Sequence, residues 1–447
     1  MPFYNWISEK SLFIGDILLG SSMKKSFDFL MQSQWWSKEE IEEYHNQKLR
    51  QLVEHAYKNV PYYQNVFEQR KLKPDDIKTV KDLVKLPLLT KEIIRENFPH
   101  NMVAQNIPRE KMIIGGSSGS TGQPLQYYKT KESLSMIRAA NLRGWYWTNF
   151  RLGDPYMKIA TMPRNRLSKK IQDWLNRSYY VHSRSIDQKD IDFILETIKR
   201  RNIKIVRGYP GSLFILATFL EEKGDNSFKL DTIITTSEPL YPYLREKIER
   251  VFHCKIFDSY GAEGAPIIFE CPTHECYHIS PEIAIVEYLK DGQVVSEGKA
   301  SLVYTDITNY ATPFIRYDIR DFAVPRNEPC SCGREMPSVT TLEGRETDVL
   351  ITPSGKYITF YFFAGYFEHQ NFIDLFQLAQ NEIDKFTLYI VPNSNFKEEF
   401  IKKIKEDVLE VMGTDITLKI EVVDDIPLTS SGKRRFFVRN PQIKVML

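Results

Sequence analysis

A run of glycines and hydroxyl residues lies between two short apolar stretches, 112–114 and 125–128. The run reads Gly115-Gly116-Ser117-Ser118-Gly119-Ser120-Thr121-Gly122-Gln123-Pro124. Its backbone N–H groups and short hydroxyls suit the binding of phosphate oxygens. It contains neither a P-loop motif nor Gly-x-Gly-x-x-Gly. A flexible linker is the alternative, but the apolar stretches on both sides favour a phosphate-binding loop.

Cysteine and histidine residues form two groups later in the chain. Four of the five cysteines and two histidines fall in these groups: Cys271, His274, Cys276, His278, Cys330 and Cys332. This combination is typical of a zinc site. The spacing leaves open which four residues are ligands, and unpaired thiols in a turn-rich region are the alternative.

The composition excludes several classes of protein. The 447 residues carry 60 basic and 58 acidic side chains, a formal net charge of +2, whereas nucleic-acid-binding proteins usually have a basic excess. No apolar stretch reaches the roughly 18 residues of a membrane-spanning helix. Stretch 6–19 contains Glu9, Lys10 and Asp16 and lacks a signal-peptide cleavage site. The odd number of cysteines argues against a disulfide framework. Together, these observations lead us to expect a cytoplasmic protein without disulfides, without a membrane span and without a nucleic-acid partner.

Apolar periodicity indicates the elements that must position these groups. Ser37 and Glu40 form a capping box for a helix that extends to about Asn59 and that Pro61 should end. Strands and helices then alternate at 203–206, 212–222, 232–235, 243–252 and 255–257. This alternation predicts parallel strands with helical crossovers, an α/β layer.

Three polar residues follow predicted strands of this layer. Tyr209, Ser237 and Tyr260 lie at the carboxyl ends of strands, where α/β sheets bind ligands. We expect Tyr209 and Ser237 to line a substrate pocket, with ordinary packing as the alternative for each.

The remaining sequence predicts a β-rich subdomain and a separate C-terminal domain. Short strands at 284–288 and 300–305 and the turn Asp291-Gly292 indicate the subdomain. Beyond Arg345, strands are predicted at 357–361, 375–380, 386–391 and 418–423, with an amphipathic helix at 396–411. We therefore predict a large N-terminal domain, residues 1–345, with parallel or mixed sheets, and a small C-terminal α+β domain, residues 346–447.

Five motifs, in the same order, resemble those of the adenylate-forming (AMP-producing) acyl-ligase superfamily. Residues 117–124 resemble its phosphate-binding signature, 258–263 its Tyr-Gly-x-Thr-Glu motif and 313–321 its ribose-binding segment. Residues 344–348 resemble its hinge, and 428–433 its catalytic-lysine loop. Segments 269–271, 330–334 and 376–380 look most like the phenylacetate–coenzyme A ligase branch, in particular its relatives in capsular-polysaccharide gene clusters.

The resemblance implies nucleotide-binding roles for residues of four motifs: Ser117, Ser118, Gly119, Ser120, Thr121, Gly122, Tyr260, Gly261, Asp321 and Arg345. The glycine-serine loop would hold the β- and γ-phosphates of ATP. Asp321 would accept hydrogen bonds from both ribose hydroxyls, because an ionised carboxylate offers only acceptors. Arg345 would add a second ribose contact.

The resemblance also implies two catalytic residues and a hinge. Glu263 would place Mg²⁺, which bridges phosphate oxygens. Lys433 would bridge the substrate carboxylate and the α-phosphate as a compact positive charge. The C-terminal domain would rotate about Asp348 between two half-reactions. Taken singly, each of these residues is more often a cap or a surface charge than a functional residue. Only the ordered set of motifs favours function.

Two positions depart from the family pattern. Gln123 occupies the place of a common lysine, so we expect weaker ATP binding or compensation elsewhere. Ala262 replaces a hydroxyl residue, and Glu263 comes one position early. Either a residue is deleted and Glu263 keeps its metal role, or that role is lost.

For the zinc site, the pattern of the relatives suggests Cys271, His278, Cys330 and Cys332 as a closed, structural set of ligands. Cys276 or His274 could replace His278.

The implied reaction is the ATP-dependent activation of a carboxylate to an acyl-adenylate with release of pyrophosphate. The acyl group would then pass to a thiol such as coenzyme A, or to an amine of a sugar or amino acid. The resemblance to capsule-cluster proteins slightly favours the amine. The alternative is an inactive, zinc-stabilised nucleotide- or ligand-binding protein, which the departures at Gln123 and Ala262 suggest. The joint retention of Asp321, Arg345 and Lys433 argues against it.

Overall fold

The computed structural model describes residues 5, 8, 10, 16, 20–117, 125–160, 167–182, 188–238, 240, 242–261, 267–343, 349–354, 357–359, 363, 366–367, 370, 372–427 and 437–440. The chain forms two compact units from separate segments. The first unit comprises 1–117, 125–154 and 257–344, and the second comprises 118–124, 155–256 and 345–447.

Helices and strands alternate through both units. The helices are α1 (Met23–Ser33), α2 (Lys38–Asn59), α3 (Pro61–Arg70), α4 (Lys91–Asn97), α5 (Lys131–Trp147), α6 (Leu167–Leu175), α7 (Gln188–Arg201), α8 (Pro210–Glu222), α9 (Pro242–Phe252) and α10 (Glu399–Met412). The first strands are β1 (Met112–Ser117), β2 (Leu125–Thr130), β3 (Tyr156–Ala160), β4 (Ser178–His182), β5 (Ile205–Gly208), β6 (Thr232–Thr236) and β7 (Lys255–Tyr260). Next come β8 (Ile268–Glu270), β9 (Tyr277–Ile279), β10 (Ala284–Lys290), β11 (Gln293–Val294), β12 (Ala300–Asp306), β13 (Tyr317–Arg326) and β14 (Ser338–Glu343). The last are β15 (Val349–Ile351), β16 (Tyr357–Thr359), β17 (Ile373–Glu382), β18 (Lys385–Pro392), β19 (Thr417–Val422) and β20 (Phe437–Arg439).

The first unit contains the β-rich region that the sequence predicts. Its strands pair in the order β11-β10-β12-β13-β14-β9-β8-β7, and these pairs are antiparallel. The turn Asp291-Gly292 has positive φ angles at both residues, 52° and 78°, as a tight hairpin requires. Helices α2 and α3 contribute Leu49 and Phe67 to a core that also contains Ile285.

The second unit contains the predicted α/β layer. Its strands lie in the order β6-β5-β3-β4, all in parallel pairs. Residues from α7, α8 and α9 share one core with the strands, for example Ile194, Leu216 and Ile248 with Val206 and Ile233. The alternation of elements between residues 200 and 260 therefore predicts this layer correctly.

The C-terminal segment has its own core. Strands β19-β18-β17-β20 form one sheet, in which β17 and β18 are antiparallel and β18 and β19 parallel. The amphipathic face of α10 supplies Ile404, Val408 and Met412 to this core. The predicted strands and helix of this segment are confirmed within one or two residues at most ends. The exact boundary stays a prediction, because residues 344–348 lie outside the described ranges.

The prediction that Pro61 ends the helix capped by Ser37 is confirmed. Helix α2 ends at Asn59, and Pro61 is the first residue of the next helix, α3. Proline is tolerated at this position because the first N–H groups of a helix have no intrahelical acceptor.

Within the described part of the chain, no helix is long and apolar enough to cross a membrane.

Candidate functional site

The glycine-serine loop joins two paired strands. Strands β1 and β2 are antiparallel, with Ser117 opposite Leu125 where the loop leaves the ladder. A Cβ atom at Gly116 would lie 3.3 Å from the carbonyl oxygen of Leu125, so this position leaves little room for a side chain. Strands thus precede and follow the loop as the sequence predicts. Residues 118–124, which include Ser118, Gly119, Ser120, Thr121 and Gly122, lie outside the described residues.

Two residues from separate predicted nucleotide motifs meet in the first unit. The hydroxyl of Tyr260, at the end of β7, donates a hydrogen bond of 2.6 Å to Oδ2 of Asp321 on β13. Both side chains are half-buried, and Tyr260 also packs against a small core that contains Ile268 and Leu302. A carboxylate has several acceptor sites, so Asp321 can accept from Tyr260 and from ligand hydroxyls together. The tyrosine therefore orients this carboxylate.

A cavity of about 140 Å³ lies in the second unit at the carboxyl ends of its parallel strands. The described residues that line it are Lys158, Ile159, Ala160, Tyr180, Arg207, Tyr209, Thr236 and Ser237. The two predicted pocket residues thus line one cavity. Ser237 follows β6 with a φ of 71°, a left-handed conformation that is uncommon for serine and frequent at functional sites. Sequence reasoning missed Lys158 and Tyr180 because it did not predict β3 or β4, and it missed Arg207 although it predicted most of β5.

Glu238 follows this strained serine. Its Oε2 accepts a hydrogen bond of 2.8 Å from the backbone N–H of Gly211, in the first turn of α8. Burial raises the pKa of the Glu238 carboxyl to about 7, and the Gly211 N–H opposes the rise. The side chain can therefore change charge near neutral pH.

The predicted zinc ligands come together in the first unit. The potential ligand atoms of Cys271, His278, Cys330 and Cys332 all lie within 4.8 Å of one another. The Sγ atoms of Cys271 and Cys330 are 3.3 Å apart, and Nε2 of His278 is 3.2 Å from Sγ of Cys332. Ligand atoms at tetrahedral zinc, with Zn–S bonds of about 2.3 Å, are separated by about 3.8 Å. The spacing therefore fits a tetrahedral site.

The two alternative ligands differ in position. His274 turns its Nδ1 to Oε1 of Glu270, 2.9 Å away, and its ring packs 4.6 Å from that of Phe257. Sγ of Cys276 lies 3.8 Å from Nε2 of His278, but Cys276 is not in the compact set of four. The geometry thus favours His278 over His274, and it leaves Cys276 adjacent to the set.

The donor chemistry of the cluster suits zinc, which thiolate and imidazole ligands select. Burial would raise the pKa of Cys332, but hydrogen bonds from His278 and Arg334 lower it to about 5, which favours the thiolate that binds metal. In contrast, the hydrogen bond with Cys276 and burial raise the pKa of Cys271 to about 12. Nδ1 of buried His278 has no hydrogen-bond partner among the described residues. In this respect the site differs from most metal-bound histidines, whose second nitrogen is hydrogen-bonded.

Aromatic residues surround the cluster. The Trp147 ring lies 5.8 Å from that of His278, and the Arg334 guanidinium lies 4.5 Å from the ring centroids of both Trp35 and Trp147. Oε1 of Gln34 accepts hydrogen bonds from Trp147 and Arg334. The loop that carries Cys332 is therefore attached to α1 and α5 by stacking and hydrogen bonds.

Sequence comparison identifies the relatives of this chain. Residues 350–440 match the CapK C-terminal domain family. The chain is 25% identical to protein CapK of Staphylococcus aureus over 413 residues, 89% of each chain. It is 28% identical to phenylacetate–coenzyme A ligase of Pseudomonas putida over 346 residues, 68% of this chain and 70% of that protein. The chain is thus similar to CapK and to the phenylacetate–coenzyme A ligases. The predicted resemblance to this branch of the adenylate-forming superfamily is confirmed.

Solved structures agree on the fold. A 2-hydroxyisobutyryl-CoA ligase in complex with 2-HIB-AMP and CoA aligns with a TM-score of 0.63 and 18% identity, over 91% of this chain and 92% of that one. The same ligase in its postadenylation state aligns with a TM-score of 0.60 over 92% of both chains. The α/β fold with a large sheet and a separate C-terminal domain is thereby confirmed as the adenylate-forming fold.

Several predicted site residues lie outside the described ranges. They are Glu263, Arg345, Asp348 and Lys433, together with the loop residues 118–122. Gly261 directly follows Tyr260 and is described, whereas only the backbone of Ser117 is described. The roles of all these residues stay predictions.

Proposed function

We propose that the protein uses ATP to convert a small carboxylic acid into an acyl-adenylate with release of pyrophosphate. A carboxylate oxygen forms a bond to the α-phosphorus while the bond from that phosphorus to the pyrophosphate oxygen breaks. Because two anions must meet, catalysis consists mostly of positioning and charge neutralisation. The adenylate-forming fold and the ligase relatives support this reaction class.

The observation that carries the proposal is the hydrogen bond between Tyr260 and Asp321. It joins two of the motifs that the sequence analysis relates to nucleotide binding. With Tyr260 fixing one oxygen, the Asp321 carboxylate is oriented before a ligand arrives, which reduces the entropy that ordering would cost on binding. We assign to Asp321 the binding of the ribose hydroxyls of ATP.

The remaining catalytic roles follow from the motifs. Lys433 would neutralise the approaching carboxylate and the α-phosphate, and Ser117 with the loop 118–122 would bind the outer phosphates. Arg345 would contact the ribose, and rotation about Asp348 would separate the two half-reactions. Glu263 would hold Mg²⁺, an ion that supplies charge neutralisation between phosphate oxygens when bound.

For the second half-reaction we propose transfer of the acyl group to a thiol or an amine. The names of the phenylacetate–coenzyme A ligase relatives support a coenzyme A thiol. The resemblance of the motifs to capsule-cluster proteins is the basis for the other acceptor, an amine on a sugar or amino acid, with a role in capsular or surface polysaccharide synthesis. Identification of the product with each acceptor separates the two.

We propose a structural zinc ion in the cysteine–histidine cluster. Cys271 and His278 come from the β8–β9 region, and Cys330 and Cys332 from the segment between β13 and β14. All four zinc positions would be filled by protein ligands, so no coordination site would remain for substrate. The ion would connect these two segments of the first unit.

Hydroxylamine trapping tests the proposed activity. Protein, ATP, Mg²⁺ and a library of carboxylic acids are incubated with hydroxylamine, which converts acyl-adenylates to hydroxamates that mass spectrometry identifies. We expect a hydroxamate that disappears in Lys433→Ala and persists in Lys402→Ala, a control on the exposed face of α10. Asp321→Ala should raise the KM for ATP at least about tenfold, because it removes hydrogen bonds to a charged group.

The alternative function gives different results. An inactive binding protein would form no hydroxamate with any acid, and Lys433→Ala would then change nothing. Thermal unfolding with ATP and Mg²⁺ adds a second measurement, since a ligand that binds only the folded state raises the melting temperature. The absence of both a hydroxamate and a thermal shift at millimolar ATP would refute the proposed activity.

A further inference from the structure

Two basic side chains lie side by side on the parallel sheet of the second unit. Lys158 on β3 is directly opposite Arg207 on β5, and Tyr180 on β4 is opposite Lys158 on its other side. Neighbouring strands are about 4.8 Å apart. The strand register therefore places two basic residues at adjacent positions.

The alternation of the strands directs both basic residues to one face. Their neighbours Met157, Ile159 and Val206 pack in the core formed with the helices. Successive side chains of a strand point to opposite faces, so Lys158 and Arg207 point away from this core. Both line the cavity of about 140 Å³ together with Tyr209 and Ser237.

The surroundings of these charges are rich in hydrogen-bond donors. Burial lowers the pKa of Arg207, and the nearby tyrosines Tyr209, Tyr156 and Tyr180 partly oppose this. The ammonium of Lys158 lies 6.0 Å from the centre of the Tyr180 ring. No acidic residue is among the described residues that line the cavity.

This arrangement favours an anion. Both basic residues line the same cavity, and a cleft lined by positive charge attracts a negative group. Arginine binds carboxylate and phosphate through its planar fork of donors, and lysine adds a mobile point charge. Tyrosine and serine hydroxyls can complete the hydrogen bonding.

The cavity has room for a small group. Its volume of about 140 Å³ is close to the roughly 150 Å³ of a protein cavity that holds benzene. A short chain with one anionic head group therefore fits.

We propose that this cavity binds a second anionic group of the carboxylic acid that the protein activates. Lys158 and Arg207 are then specificity-determining residues, and the substrate class is a short acid with a second carboxylate or a phosphonate-like group. This inference rests on the proposed acid activation, because it assigns to the cavity the part of the acid that does not react.

Matched pairs of acids test the inference in the hydroxylamine assay. Succinate, glutarate and adipate are each compared with their monomethyl esters, which keep the chain and lose one charge. The full-length protein should favour at least one diacid over its ester by at least about tenfold in kcat/KM, the value of a charged hydrogen bond. Phosphonoacetate compared with its diethyl ester distinguishes a phosphonate-like group from a carboxylate.

Variants assign the preference to the cavity. In Lys158→Met and Arg207→Met the diacid-to-ester ratio should fall to about one-tenth of its original value or less. The charge-conserving Lys158→Arg should keep most of the ratio, and it covers the case in which the methionine variants do not fold. Lys255→Met is the control, since Lys255 is a strand lysine of the same unit that is 70% exposed.

Each result decides the inference. Equal rates with diacids and esters in the unmodified protein, or an unchanged ratio in both methionine variants, would overturn it. If no acid gives a hydroxamate, the proposed function fails, and binding of the diacids is measured directly by calorimetry. Diacid binding that Lys158→Met weakens at least about tenfold supports an anion site without catalysis, and absence of binding refutes the site.

Discussion

The buried ion pair between Arg143 and Glu282 should control the stability of the first unit. The two side chains are 1% and 0% exposed. Arg143 donates to both carboxylate oxygens of Glu282, at 2.7 Å and 3.2 Å. It also donates to the hydroxyl of Ser280 at 2.9 Å and to the carbonyl of Leu30 at 3.2 Å. The hydroxyl of Ser33 donates to Glu282. The pair thus connects α1, α5 and the turn before β10.

Replacing one partner leaves the other charge buried without its counter-ion. We expect Arg143→Met to lower the free energy of unfolding by about 3–5 kcal/mol, the usual cost of breaking a buried pair. Glu282→Met should cost a similar amount. The double variant should cost less than the sum of the two, because methionines of similar volume leave no uncompensated charge. We expect the two substitutions to be coupled by roughly 2–3 kcal/mol.

Urea unfolding monitored by tryptophan fluorescence measures these differences. Trp147 is a suitable reporter, because its ring lies 5.8 Å from the Arg143 guanidinium. Lys24→Met on α1 is the matched control. It removes one partner of a pair with Asp28 whose side chains are 36% and 53% exposed, and such pairs contribute less than about 1 kcal/mol. If Arg143→Met costs no more than Lys24→Met, or if the two core substitutions are additive, the reasoning is refuted.

Three further predictions concern the cysteine cluster, a close helix–strand contact and the half-buried carboxyl of Glu238. Zinc content by mass spectrometry should be about one equivalent in the unmodified protein and in Cys276→Ser, and near zero in Cys330→Ser. The reason is that Cys330 belongs to the compact set of four ligands and Cys276 does not. Equal loss of zinc in both variants would contradict this set of ligands. Gly144→Ala should destabilise the protein by about 1–3 kcal/mol, because a Cβ there would lie 2.4 Å from the Phe269 ring. Phe269→Ala should make the same substitution tolerable in thermal unfolding, and a failure to do so would exclude the clash as the cause. For Glu238, whose pKa rises from 4.5 to about 7 in the folded protein, unfolding releases a proton between these pH values, so stability falls as the pH rises through that range. Glu238→Gln should flatten this part of the pH profile of the melting temperature, and an unchanged profile would disprove the assignment.

Short-range signals in the sequence predict the local structure well. Ser37 and Glu40 form the expected capping box, with the Ser37 hydroxyl accepting from the Glu40 N–H and Glu40 accepting from the Ser37 N–H. Such bonds involve residues three apart, so they can be recognised from sequence. The cysteine and histidine residues likewise indicate a metal site, and the pattern of the relatives suggests Cys271 and Cys330, 59 positions apart, as two of its ligands.

Contacts that depend on strand order cannot be predicted in this way. Lys158 meets Arg207 only because β3 lies between β4 and β5 in the sheet. Nothing in the local sequence specifies that order. The pair of Arg143 and Glu282 depends on packing between residues 139 positions apart. An arginine in a helix is ordinarily exposed, so its burial here has no sequence signal.

The division of the first unit into separate chain segments has a consequence for its synthesis. Its sheet includes β14, which ends at Glu343, whereas α1 and α2 are made much earlier. The core of β3–β6 with α7–α9 lies wholly within the continuous stretch from Met157 to Ile256. Since chains emerge from the ribosome in order and local contacts form faster than distant ones, this inserted layer can fold first. Apolar residues of the early helices, such as Leu49 and Phe67, then remain exposed to solvent until the later strands that cover them have been synthesised.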